Sequence, residues 1–165
     1  MTGAAMLHLL DAEVEESWVD YNGHMNDACY AILMSQATDA LMQRIGLGPE
    51  GRKAAKLTIY TLSMLIHYLK EAKLGAPLSL HGQMLEHDDR RIRFWIELRH
   101  GAGGDVLALS EQLLICIDQS GAAPRPAPFA PAMQENIAAI ALEHAKLPAP
   151  ERAGQGISLR RRPRG

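Results

Sequence analysis

Hydrophobic residues recur at helical spacing through one long segment of the chain. Between Asp27 and Ile45 they return every three or four positions, the repeat of an amphipathic helix. The positions that carry this repeat are Ala28, Ile32 or Ala31, Met34, Ala37, Leu41 and Ile45. Asn26 is a residue type that caps helix N-termini, and Gly46 can take the left-handed conformation that ends a helix. We therefore predict a long helix over residues 27–45.

Strand-like patterns lie on both sides of this helix. The segment from Leu7 to Trp18 mixes apolar and acidic residues and is compatible with a first strand. Four later segments rich in β-branched, aromatic and aliphatic residues are predicted strands, namely 57–69, 78–87, 91–99 and 106–118. The third of these alternates, with Ile92, Phe94, Ile96 and Leu98 on one face and Arg93, Trp95, Glu97 and Arg99 on the other. Such alternation is typical of a half-buried antiparallel strand.

The remaining segments complete an α+β pattern. Residues 49–56 are polar and contain glycine, which predicts a loop, and the Pro-rich stretch 123–131 ends the sheet. Residues 133–144 have the spacing of a closing amphipathic helix. The order of strand, long helix, four strands and short helix predicts an α+β fold in which the long helix covers one face of an antiparallel sheet.

We expect one domain over residues 1–150 and a flexible basic tail over 151–165. The tail contains Arg160, Arg161, Arg162 and Arg164 and follows two glycines. A charged run of this kind at a chain end is usually solvated.

Composition excludes several classes of protein. With 165 residues, 47% of them hydrophobic, the chain suits one domain with a packed core. A net charge of −2 gives no general attraction to nucleic acid. We find no signal-peptide pattern and no apolar run near the ~20 residues of a membrane span. Cys29 and Cys116 form no C-x-x-C pair, which favours free thiols and a cytoplasmic location.

The sequence lacks the common motifs of other enzyme chemistries. There is no G-x-S-x-G elbow and no phosphate-binding P-loop, and no G-x-G-x-x-G segment follows a predicted strand and opens a predicted helix. His81 and His87 share a strand face but are too far apart to bind one metal ion. We therefore expect no metal site and no cofactor.

One polar turn places a carboxylate directly before the long helix. Asp20 lies in the segment that leads to Asn26, and the first backbone N–H groups of the helix have no internal partners. A carbonyl oxygen bound there would be polarised as in an oxyanion hole, and Asp20 could attack the carbonyl carbon or activate water. An Asp before a helix is more often a cap or turn former. Because Asn26 already fills the cap position, the catalytic interpretation stays open, with His24 as a donor that could fix the turn.

This turn also carries a resemblance to a known family. Asp20, Gly23, His24, Asn26 and Tyr30 follow the pattern D-x-x-G-H-x-N-x-x-x-Y, which resembles the signature of the 4-hydroxybenzoyl-CoA thioesterase branch of the hotdog superfamily. The resemblance implies a hotdog fold, in which an antiparallel sheet wraps a long central helix, and hydrolysis of a small acyl-CoA thioester. It implies catalysis by the carboxylate at position 20 and binding of the thioester carbonyl by the backbone N–H of Asp27. It also implies homodimers, possibly tetramers, that join through the sheet edge.

A narrower resemblance concerns the thioesterases associated with carnitine catabolism. Residues 18–25, 37–42, 45–46, 68–69 and 127–129 resemble these proteins, some of which are fused behind L-carnitine dehydrogenase and are thought to cleave betainyl-CoA. Aromatic faces attract a quaternary ammonium group, and the sequence offers Trp18, Tyr21, Tyr30 and Trp95 as walls, with Asp27 as counter-charge. Trp18 and Tyr30 could equally be core or interface residues.

For the CoA phosphates, the surface cations Arg90, Arg91 and Lys73 are candidates, although such charges are commonly only solvated. Coenzyme A itself would be part of the substrate.

Three alternatives remain open at this point. Another hotdog branch uses a carboxylate from the middle of the helix, and only Asp39 could serve in that role here. A hotdog dehydratase or isomerase acting on hydroxyacyl or enoyl thioesters would use a histidine with a carboxylate, which His24 and Asp20 would allow. A protein that binds acyl-CoA without catalysis is the third alternative.

Overall fold

A six-stranded antiparallel sheet forms the frame of the protein. The computed structural model describes residues 4–159. The strands are β1 (Leu7–Glu13), β2 (Leu57–Tyr68), β3 (Pro77–His87), β4 (Arg91–His100), β5 (Val106–Asp118) and the two-residue β6 (Arg125–Pro126). Their order across the sheet is β1-β3-β4-β5-β2, and β6 pairs with β5. The four strands predicted after the long helix are therefore confirmed, and β2 lies at one end of the sheet.

The long helix α1 (Asp27–Arg44) packs on one face of this sheet. Its predicted bounds and its Asn26 cap are confirmed, and Gly46 has a φ of +89° just after its end. The residues of α1 that are buried are Tyr30, Leu33, Met34, Ala37, Thr38, Leu41 and Met42. Ala28 and Ile32 were predicted to face the core, but both are exposed, because the buried stripe is centred on Leu33 and Ala37.

A short helix, α2 (Pro49–Ala55), replaces the predicted loop over residues 49–56. Proline is favoured at the first position of a helix, where its missing N–H costs nothing, so Pro49 starts this helix. A glycine inside the segment argued against a helix. Glycine is needed at position 51 because there is no room for a side chain: a Cβ there would lie 2.1 Å from the carbonyl oxygen of Gly46.

The first strand is shorter than predicted. β1 ends at Glu13, which is paired with Pro77, the first residue of β3. Beyond that pair the N–H of Val14 donates to the carbonyl of Ala76 in the turn before β3, and the chain then enters a single 3-10 turn, Glu16–Trp18. This turn delivers the chain to the polar loop before α1.

The sheet face opposite to α1 is more covered than the alternation of β4 predicts. Trp95 lies on that face and is only 1% exposed. The closing helix α3 (Pro131–His144), which confirms the predicted one, packs against the neighbouring β3. Beside Trp95 in the β3–β4 pair, Gln83 donates a hydrogen bond to the carbonyl of Pro148 at 3.3 Å. The prediction of a half-buried strand is therefore wrong at Trp95, because the segment that follows α3 is hydrogen-bonded to Gln83 and Glu111, the residues paired with Trp95 on both sides.

A buried histidine joins α3 to the sheet. Nδ1 of His144 accepts a hydrogen bond from the backbone N–H of Met84 at 2.8 Å, beside an irregularity in the β3–β4 pairing. His144 is 3% exposed, and burial lowers its pKa. A ring protonated on both nitrogens cannot accept this hydrogen bond. The native structure therefore requires the neutral form of His144.

Stability is expected to fall with pH below the ordinary histidine pKa of 6.5. The unfolded chain takes up the proton at a higher pH than the native protein does. The contribution of His144 is therefore complete above the ordinary pKa and is lost as the pH falls toward the lowered native pKa. The loss is at most about 1.4 kcal/mol per pH unit. Glutamine can accept the same hydrogen bond without titrating. In urea unfolding, His144→Gln should thus lose less stability than the wild type between about pH 6.5 and 5, and parallel pH curves would contradict the assignment.

The predicted tail lies partly within the described residues. The backbone N–H of Gly154 donates to Oε2 of Glu111 on β5 at 2.8 Å. The four arginines predicted to make the tail basic, at positions 160–164, lie outside the described residues. The boundary at residue 150 stays a prediction. Within residues 4–159, no helix is long and apolar enough to cross a membrane.

Candidate active site

The loop that carries Asp20 is held in one conformation by backbone hydrogen bonds. A β-bridge between Val19 and Met25 closes it. Inside the loop, the N–H of Asp20 donates to the carbonyl of His24 at 3.1 Å, and the N–H of Gly23 donates to the carbonyl of Asp20 at 2.9 Å. Gly23 has a φ of +80°, a conformation in which residues with side chains are strained, so the turn favours glycine at this position.

The loop is also tied to the end of the segment after β2. Met25 is 2% exposed, and its N–H donates to the carbonyl of Ala72 at 2.7 Å. This contact brings the residues that follow β2 alongside the polar loop.

Two donors orient the carboxylate of Asp20. Its Oδ1 accepts a hydrogen bond from the backbone N–H of Asn22 at 2.8 Å, and its Oδ2 lies 3.4 Å from Nδ2 of Asn26. The side chain is half-buried. Asp20 therefore forms a turn, as an aspartate before a helix commonly does. Its carboxylate oxygens still have free lone pairs, and the side chain faces the start of α1.

The first turn of α1 leaves one backbone donor without an internal partner. Oδ1 of Asn26 caps the helix by accepting from the N–H of Ala28 at 2.9 Å, and the N–H of Cys29 donates to the carbonyl of Asn26 at 3.0 Å. Within residues 4–159, the N–H of Asp27 has no hydrogen-bond acceptor. This donor sits at the positive end of the helix dipole, where it can bind a carbonyl oxygen.

A cavity of about 470 Å³ opens over these two groups. Its walls come from the loop and the start of α1 (Asp20, Tyr21, Asn22, His24, Met25, Asn26, Asp27 and Tyr30) and from the end of β2 and the residues after it (Tyr68, Leu69, Lys70 and Glu71). The predicted residues Asp20, His24, Asn26, Asp27, Tyr21 and Tyr30 are therefore brought together. A volume of this size is within the usual range for a small-molecule site.

Sequence reasoning missed the second wall of the cavity. Tyr68 and Tyr30 form an edge-to-face pair with ring centroids 5.1 Å apart and ring planes at 85°. The hydroxyl of Tyr68 donates to the carbonyl of Asp27 at 3.1 Å, and Nε2 of His24 lies 3.6 Å from a carboxylate oxygen of Glu71. Burial, chiefly, raises the pKa of Tyr30, and the neighbouring Tyr68 and Glu71 add to the rise against a backbone hydrogen bond at Ala72.

The two predicted tryptophan walls do not line this cavity. Trp18 is half-buried and packs against the core, and its carbonyl accepts from the N–H of Asn26 at 2.8 Å. Trp95 lies on the opposite face of the sheet and is 1% exposed. Only a part of the predicted aromatic set, Tyr21 and Tyr30, reaches the cavity.

The cations predicted to bind CoA phosphates lie elsewhere as well. Arg90 and Arg91 sit at the turn between β3 and β4, where they pair with Asp89 and Asp88 at 3.2 and 2.6 Å. Lys73 is exposed in the segment that follows the cavity wall, although it does not line the cavity. Of the three cations, Lys73 is the one beside the site.

The alternative carboxylate of the long helix points away from the cavity. Asp39 is exposed on α1 and is absent from the cavity lining. Across residues 4–159, no three His, Cys, Asp or Glu side chains come together as a metal-binding group.

A long helix wrapped by an antiparallel sheet, with a carboxylate facing the helix start, defines the architecture of hotdog thioesterases. The sequence matches the family model of the thioesterase-like superfamily over residues 14–137. The chain belongs to this family and is an acyl-CoA thioester hydrolase.

Individual relatives agree with this class. The chain is 40% identical to a betainyl-CoA thioesterase from Pseudomonas aeruginosa over 93% of this chain and 96% of the relative. It is 37% identical to an L-carnitine dehydrogenase/betainyl-CoA thioesterase from Rhizobium meliloti, covering 94% of this chain but 31% of that longer protein.

Solved structures show the same fold. A putative thioesterase from Pseudomonas putida, 34% identical, superposes with a TM-score of 0.80 over 96% of this chain and 100% of its own. A Staphylococcus aureus protein solved in complex with CoA is 22% identical and superposes with a TM-score of 0.85 over 97% of this chain and 100% of its own. At that identity, the second likeness concerns the fold alone.

Proposed function

We propose that Asp20 and the backbone N–H of Asp27 act together on the thioester carbonyl. The observation that carries this proposal is the unpaired N–H of Asp27 at the start of α1, in the same cavity as the oriented carboxylate. The N–H stabilises the negative charge that develops on the carbonyl oxygen, an effect worth roughly 3–4 kcal/mol in comparable sites. Asn26 holds both partners, because its side chain caps the helix and contacts Asp20.

Two routes lead from this geometry to the same products. Asp20 attacks the carbonyl carbon, CoA leaves as the thiolate, and water cleaves the resulting anhydride. Alternatively, Asp20 removes a proton from a water molecule that attacks the carbon directly. Either route consumes one water and yields a carboxylic acid and CoA thiol. Neither requires a metal or cofactor. His24 lines the cavity beside Glu71, where it can help to place the acyl group.

The acyl group we propose is betainyl, the trimethylammonio-acetyl group. Two relatives at 40% and 37% identity are named for cleavage of betainyl-CoA. The cavity combines tyrosine rings with carboxylates, which suits a small cation. For the CoA end, we retain Lys73 from the predicted cations, since it follows the cavity wall. Cys29 and Cys116 are both free thiols, which is consistent with a cytoplasmic location.

A thiol-release assay tests the proposed substrate. Betainyl-CoA should be hydrolysed with a kcat/KM at least about tenfold above that of acetyl-CoA. Crotonyl-CoA is the control: its hydration without thiol release would instead support a dehydratase or isomerase. Tight CoA binding with no thiol release from any acyl-CoA would support a non-catalytic binding protein.

We also propose a homodimer that forms through the β2 edge. β2 ends the sheet order, so one of its edges has no strand partner within residues 4–159. Three of its apolar side chains, Tyr60, Leu62 and Tyr68, are 43%, 55% and 51% exposed. An unpaired, hydrophobic edge of 12 residues is a template for pairing with a second chain.

Sedimentation velocity checks the dimer. The wild type is expected to sediment as a dimer, and Leu62→Arg should shift it toward monomer by at least about tenfold in dissociation constant. Leu142→Arg is the matched control, because Leu142 is 69% exposed on α3, away from this edge. Equal behaviour of the two variants would remove β2 as the interface.

A further inference from the structure

Tyr30 and Tyr68 pack edge to face at one corner of the cavity. Their ring planes stand at 85° with centroids 5.1 Å apart, so the edge of one ring abuts the face of the other. Tyr30 is only 3% exposed and supports the Tyr68 ring from behind, so a compact cation that enters the cavity would contact the half-exposed ring of Tyr68. Tyr30 is fixed by burial and by a 3.4 Å contact from its hydroxyl to the carbonyl of Lys70, while Tyr68 is 51% exposed and reaches the cavity from β2.

The charges around this corner are negative. The cavity lining contains the carboxylates of Asp20, Asp27 and Glu71 against one lysine. The ammonium of that lysine, Lys70, lies 2.7 Å from a carboxylate oxygen of Asp105, which offsets its charge.

The same carboxylates have a smaller effect on the pKa of two neighbouring groups. Burial raises the pKa of the Cys29 thiol, and Asp27 and Asp20 raise it further. Burial also raises the pKa of Tyr68, and Asp27 adds to this rise. A negative acyl pocket is unfavourable for an anionic group and gives no benefit to a neutral one.

Glu71 is the carboxylate with no evident role in the reaction. It lies on the opposite wall of the cavity from Asp20, its nearest ionisable partner is His24 at 3.6 Å, and it is 62% exposed. Asp20 is committed to the carbonyl, and Asp27 presents its backbone N–H. Glu71 is therefore free to face the acyl group.

We propose that Tyr68 and Glu71 select a cationic acyl group, with the ammonium seated against the ring of Tyr68 and Glu71 as its counter-charge. This inference rests on the proposed function, since it assigns the residues that recognise the acyl group at the same site. Tyr68 and Glu71 are specificity residues here and take no part in bond breaking.

A pair of isosteric substrates isolates the charge. Betainyl-CoA and 3,3-dimethylbutanoyl-CoA have the same shape, but the second has a neutral quaternary carbon in place of the nitrogen. The measured quantity is the ratio of their kcat/KM values. The wild type should prefer the charged substrate by at least about tenfold, and Glu71→Gln should reduce that preference about tenfold by lowering only the rate with betainyl-CoA.

The role of the Tyr68 ring has its own matched variants. Tyr68→Leu should reduce the preference about 3- to 30-fold, the range expected for one cation–π contact. Tyr68→Phe loses the hydrogen bond to the carbonyl of Asp27 but keeps the ring face, so its preference should stay within about twofold of the wild type. Glu50→Gln, an exposed carboxylate on α2, is the control for general charge effects.

Product binding gives a second readout that requires no turnover. In titration calorimetry, glycine betaine should bind the wild type more tightly than 3,3-dimethylbutanoate, and Glu71→Gln should remove this difference. Equal fractional losses on both substrates in Glu71→Gln and Tyr68→Leu would overturn the inference, as would a wild type that cleaves both substrates equally. Either result would leave the thioesterase mechanism standing. Full activity without the carboxylate at position 20 would refute the mechanism independently of the acyl preference.

Discussion

Asp20→Asn is expected to lower kcat for thioester hydrolysis by about 10²–10⁴-fold. The amide neither attacks the carbonyl carbon nor accepts a proton from water at neutral pH, so both proposed routes fail. Its Oδ1 can still accept the hydrogen bond from the N–H of Asn22, which holds the loop. We therefore expect the melting temperature to stay close to that of the wild type. Stopped assays of free thiol under single-turnover conditions would measure the loss directly.

The matched control for this substitution is Asp39→Asn. Asp39 is exposed on α1 and would be the reactive carboxylate under the alternative arrangement. Its replacement should leave kcat unchanged within about twofold. A strong loss in Asp39→Asn together with an active Asp20→Asn would transfer the catalytic role to the middle of the helix.

Local signals in the sequence were enough to predict the central part of this fold. The helix α1 has a cap residue at Asn26, a left-handed glycine at Gly46 and an apolar repeat between them, and all three agree. Asp20 lies only a few residues before the start of this helix at Asp27. Their meeting in one cavity therefore required no knowledge of tertiary structure.

The second wall of the cavity depends on contacts between distant segments. Tyr68 and Glu71 join the site because β2 runs back along the sheet and because Met25 is hydrogen-bonded to Ala72. Neither residue has a distinctive local pattern. Tyr68 reads as the end of a strand, and Glu71 reads as a turn residue. The pairing of β2 with β5 positions Tyr68, and the hydrogen bond between Met25 and Ala72 positions Glu71. The hydrophobic periodicity of the sequence indicates neither contact.

The burial of Trp95 on the sheet face opposite to α1 could not be predicted from the sequence either. The charged residues beside Trp95 on β4 resemble a solvent face, and only the path of the segment around Pro148 covers it. The same ambiguity applied to α2, where Pro49 favours a helix and Gly51 opposes one. In the folded chain, Gly51 lies against the carbonyl of Gly46, so this glycine is explained by the close contact and does not argue against the helix.

Asn26→Asp is expected to separate the two functions of Asn26, which are to cap α1 and to contact the carboxylate of Asp20. Aspartate caps a helix as well as asparagine does, so the hydrogen bond from the N–H of Ala28 should survive and the melting temperature should hold. The donor that lies 3.4 Å from Oδ2 of Asp20, however, becomes a second carboxylate oxygen. Facing carboxylates resist being ionised together, so the acidic limb of the kcat/KM–pH profile should move to higher pH. Because the donor that orients Asp20 is also replaced by a like charge, kcat/KM should fall by about 10- to 100-fold near neutrality. Asn26→Ser keeps a cap without adding charge, so it should lower the rate while leaving the pH profile in place. If both variants had wild-type rates and profiles, Asn26 would be only a helix cap, and the contact with Asp20 would carry no catalytic weight.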